Sequence, residues 1–360
     1  MSSSAVAMVF TGVGHPLERR EFAVPEPRAD EVLVRIVGCT LCGSDLHSFE
    51  GRRTVAVPMV LGHEILGRIV AIGPDAPQVD ATGSPLAIGD RVTWSIVASC
   101  GRCFCCQRHL PQKCERMLKY GHEQLRPGGE WTGGLADYCL LASGTAIVRI
   151  PDQISDSVAC PVNCATATIA AAVEAAGDLR GRRVLVAGAG LLGLTACAMA
   201  RSSGATEVIC LDTNRDRLAR SEAFGATRGV GPNELASVIA ACTEGRGVDV
   251  AFELSGSADA CESILGSLGL GGRLILVGAV FPTRPIPLLM EQVIRRHLTI
   301  VGIHNYAPIH LQQAVTFLAI GQQYPFGEVV TDWLPLSEAN HAFSLARNAA
   351  SLRIGIRPDE

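Results

Sequence analysis

The chain lacks both a charge excess and any long run of one sign. It has 31 Lys and Arg against 35 Asp and Glu, a formal net charge of −4 over 360 residues. A nucleic-acid binder shows a basic face, so no nucleic-acid partner is expected. Internal repeats and low-complexity tracts are missing, which excludes solenoid arrays. With 48% hydrophobic and 18% charged residues the composition is too apolar for disorder. No secretory signal is expected either. Met1-Ser2-Ser3-Ser4 has no basic residue, and the apolar stretch Ala5 to Phe10 is too short for a signal core. One uncharged apolar run, Val184 to Ala200, approaches the length of a membrane span. Its β-type start and its Gly188, Gly190 and Gly193 mark a strand and a turn, so no membrane partner is expected.

Aromatics make up only 5%, whereas Gly numbers 38 and Cys 14. Many glycines imply tight turns and close backbone approaches. At roughly 150 residues per domain the length suggests two domains, each able to bury a core without disulfides. In such a chain many cysteines read as metal ligands or buried thiols, which points to a reducing compartment, the cytoplasm.

Up to about residue 160 the pattern is short strands between turns. Glu31 to Val37, Gly67 to Ile72 and Asp90 to Trp94 are strand-like, with Pro25, Pro27, Pro58, Gly62, Pro74, Pro85 and Gly89 at the joins. Little helix is expected there. After Pro151 the texture changes. Ala165 to Ala176 is helix-prone. Strand-like runs at Val184–Val186, Val208–Leu211, Val248–Phe252, Leu274–Val277 and Leu298–Val301 then alternate with helical patterns near 193–203, 215–224 and 258–268. That alternation predicts a doubly wound parallel sheet, so the fold class is α/β plus β.

Three patterns carry chemistry. The first is Gly188-Ala-Gly190-Leu191-Leu192-Gly193, between a strand and a helix. Gly188 permits the turn, Gly190 lets a pyrophosphate approach the backbone, and Gly193 lets the helix pack on the sheet; the helix start offers free amides. Asp212, 24 residues after Gly188, ends the second strand, where a carboxylate accepts from a ribose 2′-hydroxyl and repels a 2′-phosphate. NAD is therefore expected over NADP. The second pattern is Cys100-x2-Cys103-x2-Cys106-x7-Cys114, with Cys105 out of rhythm. Four thiolates at such spacing fill a tetrahedral zinc and make a structural site. The third is Cys42-Gly43-Ser44-Asp45-Leu46-His47, followed by Gly62-His63-Glu64. A thiolate, an imidazole and a distant thiolate would leave one zinc position open. Cys164 is the distant candidate; Cys39, Cys139 and Cys160 sit in apolar runs and suit core packing.

With Gly133-Gly134-Leu135-Ala136-Asp137-Tyr138 added, these motifs together resemble the zinc-dependent medium-chain alcohol dehydrogenases over essentially the whole chain. The segments Lys119-Tyr120-Gly121-His122-Glu123 and Pro161-Val162-Asn163-Cys164 resemble a subgroup associated with phosphonate catabolism.

The family resemblance implies a GroES-like β domain, 1–160 and 305–360, with a Rossmann domain, 161–304, inserted in it. It implies two zinc ions per chain: Cys42, His63 and Cys164 hold the catalytic one, and Cys100, Cys103, Cys106 and Cys114 the structural one. Ser44 is expected to take the substrate hydroxyl proton and His47 to pass it on, with Glu64 and Asp45 beside the metal. Thr168, Arg217 and Arg353 are expected at the nicotinamide, the adenosine ribose and the pyrophosphate. The partner is a small alcohol or carbonyl, and the chain is expected as a homodimer or homotetramer. Other readings are a zinc-free enone or quinone reductase on the same fold and a non-enzymatic nucleotide-binding zinc protein. Gly43 holds a place where a basic residue can stand, so pyrophosphate binding leans on backbone amides and Arg353. Tyr120 and His122 are candidates for the pocket border, and Arg52 and Arg53, soon after His47, for pairing with an anionic substrate.

Overall fold

The computed structural model describes residues 4–347 and 352–359. The chain forms two compact units, one of Met1–Ala167, Ala307–Ile320 and Phe326–Glu360, the other of Thr168–Tyr306 and Gly321–Pro325. The sequence reading put the first boundary at 160. The first unit instead runs through the turn that carries Cys164 and into the following helix.

In the first unit, seven of the described strands make one sheet. Its path runs Ile147–Arg149, Arg91–Trp94, Glu64–Ile72, Val32–Thr40, Arg353–Arg357, Val330–Pro335, with Tyr138–Leu141 also paired to Val32–Thr40. The strand near the chain's end therefore completes a sheet begun near its start, with Gly355 opposite Thr40 and Ile356 opposite Cys39. Alternating apolar residues of these strands bury a common core. Trp94 and Tyr120 meet there edge to face, with centroids 6.1 Å apart.

Helix is more frequent in this unit than the sequence suggested. The segment Gly43–Phe49 is helical, and Asp45 at its third position accepts from the Cys42 N–H at 3.0 Å. A residue pair at this spacing closes a helix N-terminus from both sides. Later in the chain, Pro308–Ile320 and Ala339–Ala346 are also helices of this unit.

The second unit contains a six-stranded parallel sheet among the described residues, in the order Arg228–Val230, Glu207–Leu211, Arg183–Ala187, Val248–Glu253, Leu268–Leu276, Thr299–Gly302. In chain order this is 3-2-1-4-5-6, the doubly wound dinucleotide-binding arrangement. Val184 to Ala187 are 0% exposed, as expected of a strand covered on both faces. The strand Arg228–Val230 and the helix Leu235–Thr243 escaped the sequence reading. The apolar run Val184 to Ala200 divides into the strand Arg183–Ala187 and the helix Leu191–Ser202. Among the described residues no single helix is long and apolar enough to cross a membrane.

Candidate active site and metal centres

Two clusters of side chains that could hold a metal ion form among the described residues: Cys42, His63 and Cys164, and Cys100, Cys103, Cys106 and Cys114. In each, one donor atom per residue lies within 4.8 Å of the others. Cys105 belongs to neither, and Cys39, Cys139 and Cys160 are buried at 0% exposure in the core.

The three-residue cluster draws on three separate elements. Cys42 precedes the helix Gly43–Phe49, His63 precedes the strand Glu64–Ile72, and Cys164 ends the turn Cys160–Asn163. Buried Asn163 fixes that turn, since its Oδ1 accepts from Ile65 N at 3.2 Å and its Nδ2 donates to Trp94 O at 3.1 Å. In the sequence reading Asn163 enters only within Pro161-Val162-Asn163-Cys164 and has no role of its own.

Asp45 aims the imidazole. Its Oδ1 lies 3.0 Å from His63 Nδ1 and accepts from Gly62 N at 3.2 Å. A ring that gives Nδ1–H to a carboxylate presents Nε2 as the metal ligand. Ser44 Oγ stands 3.2 Å from that Nε2. Burial disfavours the imidazolium, but the Asp45 charge and hydrogen bond outweigh it and hold His63 up at about 10. Cys42 is pulled well below the ordinary thiol range, first by its contact with Cys164 and then by Arg353 and His63. Thiolate character is what a metal ligand needs. Ser44 and His47 lie on one helix three positions apart, hence on neighbouring turns of one face. Burial and the charge of Arg52 lower the pKa of His47.

Glu64 is 0% exposed and both its oxygens are occupied. Arg353 donates Nε to Oε2 at 2.7 Å and Nη2 to Oε1 at 2.8 Å, and Thr40 Oγ1 donates to Oε2 at 2.6 Å. Arg353 Nη2 also lies 3.7 Å from Cys42 Sγ. The residue expected at a pyrophosphate is thus buried against Glu64 and Cys42. The sheet registers explain this, because Thr40 faces Glu64 on one side and the Arg353–Arg357 strand on the other.

Tyr120 is fully buried and bonds Thr145 at 2.7 Å, so it belongs to the core. His122 stands with its ring centroid 5.1 Å from that of His63. Arg52 is exposed and paired with Glu50 at 3.3 Å, whereas Arg53 turns to His122.

The four-cysteine cluster suits zinc by its chemistry. A Zn–S distance of about 2.3 Å sets tetrahedral sulfurs ~3.8 Å apart. Cys103 Sγ lies 3.5 Å from Cys106 Sγ and 3.9 Å from Cys114 Sγ. Backbone N–H groups of Cys106 and Glu115 bring Cys103 down to about 6. Four sulfurs leave no open position, while two sulfurs and one imidazole leave one.

In the second unit the glycine loop turns tightly between strand and helix. Gly188 has φ +105°, and a Cβ on Gly193 would lie 1.6 Å from Gly188 O. A Cβ on Gly190 would meet nothing within 4 Å, so the space in front of the loop is open. The helix that begins at Leu191 and Leu192 has no side-chain cap, which leaves its first amides for an anion. Asp212 accepts from Ala189 N at 2.6 Å and from Asn214 N at 2.8 Å, which ties the acid to the loop. Arg217 gives its backbone N–H to the capping Asn214 at 3.1 Å. Thr168 lies one turn after Cys164 on the helix Ala165–Ala176.

Residues 28–152 match the family model described as an alcohol dehydrogenase GroES-like domain, and residues 192–319 that described as a zinc-binding dehydrogenase. An L-threonine 3-dehydrogenase of Coxiella burnetii is 32% identical over 327 residues, 89% of this chain and 90% of that protein. The crystal structure of an alcohol dehydrogenase from Thermotoga maritima superposes with a TM-score of 0.91 at 28% identity, covering 99% of this chain and 100% of that one. A protein from Sinorhizobium meliloti, assigned as a zinc-binding dehydrogenase and solved with NADP, gives 0.86 at 25% identity over 99% of this chain and 100% of that one.

Proposed function

We propose, from the premise that this chain belongs to the zinc-dependent medium-chain alcohol dehydrogenase family, a division of labour among its residues. The chain is an oxidoreductase acting on a CH–OH group, and its substrate is a small molecule. Cys42, His63 and Cys164 would hold a catalytic zinc beside the substrate hydroxyl. Cys100, Cys103, Cys106 and Cys114 hold a second, structural zinc. The bound groups supply the Lewis acidity that acidifies the hydroxyl and the nicotinamide that accepts hydride.

The chain's own residues do the rest. Asp45 fixes the tautomer of His63. Ser44 takes the hydroxyl proton as the alcohol carbon loses hydride and becomes a carbonyl. His47 carries the proton onward. Arg353 and Glu64 neutralise one another beside Cys42 and hold its surroundings in place. Gly188, Gly190 and Gly193 admit the pyrophosphate to the amides of Leu191 and Leu192. Asp212 selects NAD, with Thr168 and Arg217 along the same cofactor. All fourteen cysteines are unbridged, which suits a reducing compartment, the cytoplasm.

The observation that carries this reading is the convergence of three ligands, and not four, on one point next to Ser44. The test is metal analysis with an alcohol screen against both dinucleotides. Two zinc ions per chain and alcohol-dependent NAD reduction are expected; one zinc or none, with no turnover of any alcohol, overturns it.

A further inference from the structure

Arg53 follows the helix Gly43–Phe49, and its N–H donates to His47 O at 3.1 Å. Its Nη1 donates to His122 Nε2 at 3.0 Å, and His122 Nδ1 bonds Tyr120 O at 2.9 Å. A guanidinium only donates and a peptide oxygen only accepts, so His122 is a neutral ring with its proton on Nδ1. It orients Arg53 without neutralising it. Because the His122 ring lies tilted against that of His63, centroid to centroid 5.1 Å, the guanidinium stands one imidazole away from a proposed metal ligand.

A second cation shares this place. Lys119 opens the turn that His122 closes, with His122 N donating to Lys119 O at 3.0 Å. Burial, and then the charge of Arg53, bring Lys119 down to about 8; it also feels Cys164 and Cys42. The acids around the pair are committed elsewhere. Asp45 serves His63, Glu64 serves Arg353, Glu50 serves Arg52 and Arg347, and Glu123 accepts from the Lys119 backbone at 2.8 Å. Among the described residues neither Arg53 nor Lys119 has a carboxylate at ion-pair distance. Two half-buried like charges without a carboxylate partner are costly to hold together, and an incoming anion lowers that cost.

We propose that Arg53 and Lys119, with His122 holding the guanidinium in position, bind an oxyanion on the substrate, so that the alcohol oxidised is a hydroxy acid with a carboxylate or phosphonate near its hydroxyl. The fork of Arg53 suits two oxygens of one anion, and Lys119 adds a point charge. Arg52, paired with Glu50 in solvent, takes no part. The inference rests on the dehydrogenase reading given above.

The test measures kcat/KM of the zinc-loaded enzyme for ω-hydroxy carboxylates, ω-hydroxy phosphonates and neutral alcohols of equal length. The wild type favours the acids by about tenfold or more, and the better headgroup identifies the anion. Arg53→Ala and Lys119→Met each cut that preference about tenfold, mainly through KM, and Arg53→Lys restores part of it. His122→Leu raises KM for the acid more than it lowers kcat, and Arg52→Ala leaves the preference as it is. Equal losses for charged and neutral substrates, or none, overturn the anion site and leave the dehydrogenase standing. In a parallel measurement, methylphosphonate raises the unfolding temperature of the wild type and not that of Arg53→Ala. That shift without turnover of any alcohol overturns the dehydrogenase reading alone; absence of both overturns both.

Discussion

Asp45 Oδ1 lies 3.0 Å from His63 Nδ1, and each side chain is 1% exposed. The other oxygen of the same carboxylate accepts from Cys42 N at 3.0 Å. One acid therefore orients two ligands of the three-residue cluster, one by its ring and one by its backbone.

Loss of this acid should loosen the metal more than the fold. Asp45→Ala is expected to lower zinc affinity or activity about 10- to 100-fold, the usual cost of removing a partner behind a metal ligand. Zinc retained after dialysis against a graded chelator series measures it. Retention equal to wild type would reduce Asp45 to a helix cap.

The two metal sites should respond differently to the same kind of damage. Cys42→Ala or His63→Ala is expected to abolish turnover and leave the unfolding temperature near that of wild type. Cys103→Ala or Cys106→Ala is expected to lower the unfolding temperature, because a closed site contributes its binding energy to folding. Most activity surviving in Cys42→Ala would refute the catalytic assignment.

Cofactor choice should follow Asp212. Its charge stands at the end of the second strand, anchored to the glycine loop through Ala189 N. A 2′-phosphate placed there meets a like charge. NAD is expected to give the higher kcat/KM, and Asp212→Asn to lower the NAD value about tenfold. Arg215, which is exposed, and Arg217 are expected to soften the contrast. Steady-state kinetics with both cofactors decide it, and a wild-type preference for NADP would count against the assignment.

The sheet of the second unit should not end at Thr299–Gly302 in solution. That strand is last in the hydrogen-bonded order, and near it in sequence Leu289, Met290 and Ile294 are 58%, 78% and 71% exposed. An open edge beside apolar side chains invites pairing with a second copy. Sedimentation is expected to show a dimer or tetramer, and Ile300→Pro on the edge strand to shift it toward monomer. A wild-type monomer at micromolar concentration would rule this out.

What could be read from sequence was what depends on near neighbours along the chain. The loop Gly188 to Gly193 and the Cys100 to Cys114 lobe are local motifs; in the structure a Cβ on Gly193 would meet Gly188 O, and the four cysteine sulfurs lie close together. Asp45 was readable for the same reason, three residues after Cys42. The contacts of Arg353 were not, because Glu64 lies 289 positions away and only the sheet register brings them together. Asn163 reaches Ile65 and Trp94 across 98 and 69 positions, which no spacing rule encodes. Arg52 and Arg53 look equivalent in sequence, yet Glu50 draws one outward and His122 draws the other inward.

The closure of the first sheet by Arg353–Arg357 sets an order on biosynthesis. Glu64 leaves the ribosome 289 residues before the guanidinium that neutralises it. Through that interval its carboxylate and the Cys39–Thr40 end of Val32–Thr40 wait for a partner still to be translated. Most of the second unit, Thr168–Tyr306, emerges within that interval as one continuous stretch. Domains fold as their residues emerge, so the inserted unit can settle first while the unit that interrupts itself to contain it stays unfinished. A nascent chain stalled before Arg353 would leave the Cys39–Thr40 end of that strand unpaired and Glu64 without its guanidinium.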